Sequence, residues 1–207
     1  MRKSLFVICF ALMTEIFLSM NSFAFDAVKK LKLMKVCRKC NMVGVDLRGA
    51  ILKKADLKNS NLSGAKLMGA SLQGAKLEKA YLQTTDLTGA NLDYANLQKA
   101  YLNEAKLKKA SLSGANIKWA HLKGASLEGA NLKGANLNGA NLSGADLDGA
   151  NLHEVNLQGA NLQGASFKDA DLSKANLIGA NVKKNAVKGA ILCKTKTPWG
   201  EDNTGCK

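Results

Sequence analysis

Two cysteines separated by two residues form the first group in this chain whose types and spacing could do chemistry: Cys37-Arg38-Lys39-Cys40. A thiol redox site of this kind needs a βαβ context, and the surrounding sequence does not supply one. A zinc site needs two more ligands, and none lies near these cysteines in the sequence. The pattern therefore favours a structural disulfide between Cys37 and Cys40.

The two histidines, His121 and His153, offer no catalytic group. The sequence yields neither a serine–histidine–acid arrangement nor a cluster of metal-ligating residues. Asp146 and Asp148 lie near His153 in the chain and are interpreted as solvated acids. The glycines do not follow the pattern of a phosphate-binding loop. We therefore expect no enzymatic activity, no metal and no cofactor.

Aromatic and basic residues interleave in the middle of the chain, in a set that we call the lysine–aromatic patch. Its members are Lys79, Tyr81, Lys99, Tyr101, Lys118, Trp119, His121 and Lys123. Exposed rings beside lysines suit contact with a glycan, a nucleic acid or an acidic protein. In the competing interpretation, the rings stabilise the fold and the lysines keep it soluble. The sequence leaves both interpretations open.

One five-residue phrase, repeated thirty times from Val45 to Lys194, must position these residues. Every fifth residue from Leu47 to Leu192 is leucine, with four apolar substitutions: Ile117, Phe167, Val182 and Val187. A period of five fits neither an α-helix nor a continuous strand. It fits a backbone that is extended over Ala-x-Leu and then turns a corner, so that alanine and leucine both point inward. Four such corners close a coil of twenty residues, and coils stack about 4.8 Å apart.

Residues twenty apart support this coil length, because they would be neighbours in adjacent coils. Opposite charges recur at that interval in Asp46, Lys66, Asp86 and Lys106, and also in the pairs Asp56 with Lys76 and Lys58 with Glu78. An uninterrupted asparagine column follows the same interval: Asn96, Asn116, Asn136, Asn156 and Asn176. Opposite charges and amide ladders both favour stacked strands.

The phrases between Ala130 and Gly144, Ala-Asn-Leu-Lys-Gly, Ala-Asn-Leu-Asn-Gly and Ala-Asn-Leu-Ser-Gly, resemble the pentapeptide-repeat family. The resemblance implies an all-β fold, a right-handed quadrilateral β-helix of about 7.5 coils over residues 45–194. Glycine closes most phrases and readily adopts the positive φ of a tight corner. Between Lys79 and Trp119 most closing residues are not glycine, so we expect a different corner conformation there.

Both ends of the solenoid need covers, because unpaired strand edges recruit other chains. Residues 25–44 are predicted to form an N-terminal cap that includes Cys37 and Cys40. A short amphipathic helix is expected there, since Ala27, Val28, Leu31 and Met34 recur at helical spacing. The alternative is a basic helix that contacts anionic lipid. Residues 195–207 are predicted to form a C-terminal cap loop, with Trp199 folded over the last leucine layer.

Residues 1–24 have the pattern of a cleavable signal peptide, with cleavage after Ala24. Glu15 interrupts the apolar segment, so no transmembrane anchor is expected in the mature chain. Four cysteines would remain after cleavage, an even number typical of disulfides in exported proteins. The solenoid would separate the two ends too far for bonds between them. The predicted disulfides are therefore Cys37–Cys40 and Cys193–Cys206.

These features predict an exported, non-enzymatic scaffold, periplasmic or secreted, that binds an unknown protein or an anionic envelope component. The alternatives are a topoisomerase- or DNA-associated protein and a secreted effector. Some members of the resembling family mimic duplex DNA through an acidic surface. The chain without residues 1–24 has 28 basic and 15 acidic residues, a net charge of +13. This charge disfavours mimicry and permits only non-specific attraction to nucleic acid.

Overall fold

The computed structural model describes residues 26–206, so the predicted signal peptide lies outside the described residues. The chain winds as a solenoid in which parallel bridges join residues that are twenty positions apart. The ladder runs from Val36↔Asp56 to Asn176↔Lys196 and includes Tyr81↔Tyr101. The twenty-residue coil predicted from charge and amide spacing is therefore confirmed.

The interior of the solenoid is a column of leucine and alanine side chains. Every residue at the leucine position from Leu47 to Leu177 is at most 1% exposed. Backbone hydrogen bonds tie each coil to both of its neighbours: the Leu97 N–H donates to the Asn116 carbonyl of the next coil at 2.7 Å, and the Asn96 N–H donates to the Ala75 carbonyl of the preceding coil at 2.9 Å. Each buried leucine stabilises the stack by roughly 1.5–3 kcal/mol.

The solenoid begins earlier in the chain than the repeat predicts. The first bridge joins Val36 to Asp56, and both Cys37 and Met42 are fully buried at the leucine position. The predicted boundary at Val45 is therefore wrong, because a cysteine and a methionine fill the core where the sequence pattern expects leucine. The helix α1, residues 26–34, lies before this first coil.

From Lys39 to Gly179 every corner has a positive φ between 54° and 73°. Lys79 has a φ of 55°, Trp119 also 55°, and the glycine at 124 has 66°. The expectation of different corners in the middle of the chain was therefore wrong. Stacking fixes the turn, since the Lys79 N–H donates to the Gln98 carbonyl at 3.0 Å and the Trp119 N–H to the Asn138 carbonyl at 3.0 Å. A residue other than glycine tolerates this conformation at a cost of about 1 kcal/mol.

The stack is interrupted near its C-terminal end. The bridges skip the coil segment after Asn161↔Asn181, and a short 3-10 helix, η1, spans Lys184–Val187. Val182 is only half-buried, so the thirty phrases predicted from the sequence are not all equivalent. Asn185 explains the break, because its exposed amide occupies the position where other phrases place a small inward residue.

A hairpin rather than a simple loop closes the C-terminal end. Strand β1, Thr195–Thr197, pairs antiparallel with strand β2, Gly200–Asp202. Trp199 lies at the turn between them and packs against the core, as predicted. Within residues 26–206, no helix is long and apolar enough to cross a membrane.

Candidate interaction surface

Three rings of the lysine–aromatic patch form a continuous stack on the outside of the solenoid. The ring centroids of Tyr81 and Tyr101 lie 5.0 Å apart, and those of Tyr101 and His121 lie 4.9 Å apart. The planes within each pair are nearly parallel, at 5° and 4°. Because each ring covers its neighbour, a ligand would contact the ring edges and the tyrosine hydroxyls rather than the ring faces.

Trp119 lies at the adjoining corner, and its indole contacts both neighbouring coils. The Lys99 ammonium lies 5.5 Å from the ring centroid on one side. In the next coil the ring lies against Gly139, where an added β-carbon would lie 2.6 Å from the indole Cδ1. Trp119 nevertheless remains 46% exposed. The remaining surface of the indole is open to solvent beside the ring stack.

The remaining patch lysines surround these rings with positive charge. Lys79 and Lys123 are exposed, and Lys118 is half-buried. Among the described residues, no carboxylate forms an ion pair with any of the four patch lysines. The structure thus brings the rings into direct contact with one another and with Lys99, while Lys79, Lys118 and Lys123 contribute charge at the edges.

Tyr94 is an exposed aromatic residue that the patch prediction did not include. It is 69% exposed and its ring crosses Gly114, where an added β-carbon would lie 2.6 Å from the ring. The arrangement repeats that of Trp119 and Gly139 on a different corner of the coil. A signal was present in the sequence, since in both cases a large corner residue precedes a glycine by twenty positions.

The asparagine column between these two corners stabilises the turns of the solenoid. The Oδ1 atoms of Asn96 and Asn136 each accept a hydrogen bond at 3.2 Å from the backbone N–H two residues later. The Asn116 amide also donates to Asn96 Oδ1 at 3.1 Å. Such local side-chain bonds stabilise turns. The column therefore shapes the corners and links adjacent coils.

The charged columns form only part of the predicted ion pairs. Lys58 pairs with Glu78 at 2.9 Å as expected, but Asp56 pairs with Arg38 at 2.6 Å instead of with Lys76. Burial raises the pKa of Asp56, yet the hydrogen bond from Arg38 and the interactions with Lys58 outweigh it and hold the pKa below its usual value.

Asp46 also has a partner that the column pattern does not predict. It pairs with Arg48, two residues later, at 2.6 Å. Side-chain and backbone hydrogen bonds from Arg48 lower the pKa of Asp46 to about 2. The alternating charges of this column therefore do not form a chain of ion pairs, because Asp46 pairs with Arg48 of its own coil instead of with Lys66.

His153 lies in a small polar cluster on the outer surface. Its Nε2 is 3.3 Å from Glu154 Oε1, which also lies 3.2 Å from the Lys174 ammonium. The hydrogen bond from Lys174 lowers the pKa of the Glu154 carboxyl. Across residues 26–206, no group of three His, Cys, Asp or Glu side chains is placed to hold a metal ion.

Both predicted disulfides are present, and they lie at opposite ends of the solenoid. Cys37 bonds to Cys40 in the first coil, and Cys193 bonds to Cys206 next to the terminal hairpin. Cys37 is fully buried and also serves as a core residue at the leucine position. These four cysteines therefore have structural roles.

The fold and surface together define a class: a stacked β-solenoid of five-residue phrases. The family model described as pentapeptide repeats matches this chain in eight copies over overlapping segments, namely residues 40–78, 65–103, 85–124, 115–153 and 150–184. The chain belongs to the pentapeptide repeat family. Proteins of this family fold as right-handed quadrilateral β-helices, which is the architecture that the phrase pattern predicts.

Several solved structures are similar to this chain. The pentapeptide repeat protein Rfr23 from the cyanobacterium Cyanothece 51142 shares 29% identity over 73% of this chain and 97% of its own, with a TM-score of 0.46. HetL from Nostoc sp. strain PCC 7120, involved in heterocyst differentiation regulation, shares 32% identity over 80% and 90%, with a TM-score of 0.27. QnrB1, a plasmid-mediated fluoroquinolone resistance protein, shares 15% identity over 75% and 92%, with a TM-score of 0.48. Comparison with curated protein sequences gives no match.

Proposed function

We propose that this protein is an exported, non-enzymatic scaffold that binds an acidic partner through the lysine–aromatic patch. The observation that carries the proposal is the rigid exposure of Trp119 beside the ring stack. The indole contacts Lys99 of the preceding coil and lies against Gly139 of the next coil, while the residue remains 46% exposed. An exposed aromatic side chain fixed in one orientation loses little conformational entropy on binding.

The charge of the patch selects the kind of partner. The lysines at positions 79, 99, 118 and 123 have no carboxylate partner in the described part of the chain. A protein or other envelope component with an acidic surface would complement them. The stacked rings of Tyr81, Tyr101 and His121 would add ring edges and hydroxyl groups at a regular spacing of about 4.8 Å.

The cysteines support the exported location. All four cysteines after residue 24 are paired in the two disulfides. Such bonds form and persist in oxidising compartments such as the bacterial periplasm, and are rare in the cytosol. The signal-peptide pattern of residues 1–24 points to the same location. Export is therefore proposed on two independent features of the chain.

The test of patch binding compares Trp119→Ala with Tyr94→Ala. Both changes remove an exposed corner ring that crosses a glycine of the next coil, so their effects on the fold should match. We expect a crosslinking pull-down from the native envelope to recover a specific partner with the wild type and Tyr94→Ala, and at least tenfold less with Trp119→Ala. Equal recovery with both variants would refute binding through the patch. Fractionation tests location separately, and a cytosolic protein with free thiols would refute export.

A further inference from the structure

The N-terminal end of the solenoid carries a concentration of positive charge outside the lysine–aromatic patch. Residues 26–54 contain nine basic and two acidic residues, a net charge of +7, which is more than half of the +13 carried by residues 25–207. One of the two acids, Asp46, is paired with Arg48. Among the described residues, no carboxylate pairs with the exposed lysines of helix α1: Lys29, Lys30 and Lys32.

Helix α1 covers the core with some of its apolar residues and leaves two others exposed. Leu31 is fully buried, and Ala27 and Val28 pack against the core. Leu33 is 74% exposed and Met34 is 67% exposed. Two residues turn a helix by about 200°, so Leu33 lies opposite Leu31. Met34 lies about 60° from Leu31, on the side predicted to be buried, but is exposed at the last residue of the helix. Capping the solenoid therefore leaves Leu33 exposed on the outward side and Met34 exposed at the end of the helix.

The outward side of α1 alternates apolar and basic residues around the helix. By helical geometry, Lys29 and Lys30 lie about 40° and 60° on either side of Leu33. Further apolar side chains are exposed in the adjoining first coil: Val36, Val43 and Ile51. Exposed apolar residues gathered at one end of a soluble protein mark a contact site.

We propose that this end of the solenoid binds an anionic phospholipid surface. Leu33 and Met34 would enter the headgroup region, while Lys29, Lys30 and Lys32 would contact lipid phosphates. Basic residues beside exposed apolar side chains are typical of helices that lie in a membrane interface. Nucleic acid would use the lysines and leave Leu33 and Met34 in water. The inference concerns a surface separate from the lysine–aromatic patch and does not rest on the proposed partner.

The experiment is vesicle co-sedimentation of the protein, purified as the cell processes it, with phosphatidylglycerol–phosphatidylcholine mixtures and with phosphatidylcholine alone. We expect binding only to the anionic vesicles, weakening as salt is raised. Lys29→Glu combined with Lys30→Glu should weaken binding at least about 25-fold, because each surface lysine contributes about fivefold. Leu33→Ser combined with Met34→Ser should weaken it roughly tenfold.

A variant with the same change in net charge tests whether the position of the lysines, rather than their number, determines vesicle binding. Lys133→Glu combined with Lys168→Glu changes two exposed lysines elsewhere on the solenoid and should alter binding less than about twofold. Unchanged circular dichroism spectra would exclude unfolding of the variants. Trp119→Ala should bind vesicles as the wild type does, even if it loses a protein partner.

Three results would overturn the lipid proposal. One is the absence of binding to anionic vesicles, and another is an equal loss in the Lys133/Lys168 control. The third is tighter binding to duplex DNA than to vesicles, retained when Leu33 and Met34 are replaced by serine. That result would assign the lysines to nucleic acid.

Discussion

The indole ring of Trp119 lies across Gly139, the residue at the same corner of the next coil, so closely that a β-carbon there would meet the ring at 2.6 Å. Tyr94 lies across Gly114 in the same way. Smaller side chains lean in the same direction, since a β-carbon added at Gly74 would lie 3.5 Å from Cγ of Lys54, and one at Gly129 would lie 3.6 Å from Cγ of Lys109. A corner side chain therefore leans toward the next coil, and a large ring there requires glycine twenty residues later.

This relationship predicts that Gly139→Ala destabilises the solenoid more than Gly149→Ala. Both glycines have nearly the same positive φ, 65° and 64°, but nothing lies within 4 Å of a β-carbon at Gly149. We expect about 1 kcal/mol of backbone strain in both variants. Displacement of the Trp119 ring should add about 1 kcal/mol in Gly139→Ala alone. Urea unfolding followed by circular dichroism measures the difference.

Trp119→Ala supplies the control for the ring contact. In the Trp119→Ala background, Gly139→Ala should cost only the backbone strain, so a double-mutant cycle should show a coupling of about 1 kcal/mol. Purely additive effects would mean that the ring does not rest on Gly139 in solution.

The ring stack predicts different costs for its central and terminal members. Tyr101 contacts both Tyr81 and His121, whereas Tyr81 makes only the first of these contacts within the described ring column. Each stacked pair contributes about 0.5–1.5 kcal/mol. Tyr101→Ala should therefore destabilise the protein by about twice as much as Tyr81→Ala in urea unfolding. Tyr101→Phe keeps the ring and should remain near the wild type. Equal losses from the two alanine variants would contradict stacking as the source of stability.

The pair of Arg38 and Asp56 predicts a pH-dependent contact between the first two coils. The folded pKa of Asp56 lies below its usual value of 3.8. The stabilisation is therefore complete above that usual value and is lost as the pH falls through the folded pKa. Arg38→Gln should weaken this end only modestly near neutral pH, because Arg38 itself is largely exposed. The difference from the wild type should shrink below about pH 4.

Hydrogen exchange at the first coil measures this effect locally. The Cys37 N–H donates to the Asp56 carbonyl at 2.8 Å, so its exchange rate reports separation of the two coils. The central amide of Leu97 serves as an internal control, since opening of one end of a solenoid leaves distant coils paired. An Arg38→Gln effect of the same size at all pH values would mean that the ion pair is not its cause.

The sequence predicts the coil because the same residue types have the same structural roles in each phrase. Leucine and alanine point inward, asparagine stabilises the turn, and columns twenty residues apart reveal the stacking. The first coil was not predicted, because Cys37 and Met42 occupy leucine positions that the repeat pattern does not recognise. The late interruption follows from a single departure, Asn185 at a small inward position. Both departures depend on how individual side chains pack, which a consensus does not describe.

The corner conformation and the surface contacts needed the structure for a different reason. Glycine marks the positions where a positive φ has little energetic cost. Hydrogen bonds between coils nevertheless impose the same positive φ on Lys79 and Trp119. The lysine–aromatic patch could be located from column spacing, whereas the contacts of Trp119 with Lys99 and Gly139 depend on side-chain direction. Arg38 and Arg48 likewise reach acids that the twenty-residue columns assign to other partners.

The disulfide between Cys193 and Cys206 should hold the terminal hairpin against the last coils. It links residues thirteen positions apart, and closing a loop of this size stabilises by about 3 kcal/mol. Replacing both cysteines with serine should therefore speed hydrogen exchange at Gly205, whose N–H donates to the Leu192 carbonyl at 3.0 Å. Exchange at Leu97 should stay unchanged, because the central coils keep their neighbours. Replacing Cys37 and Cys40 with alanine provides the matched control, since it should leave Gly205 protected. Undiminished protection at Gly205 after loss of the Cys193–Cys206 bond would show that packing of Trp199 closes this end without it.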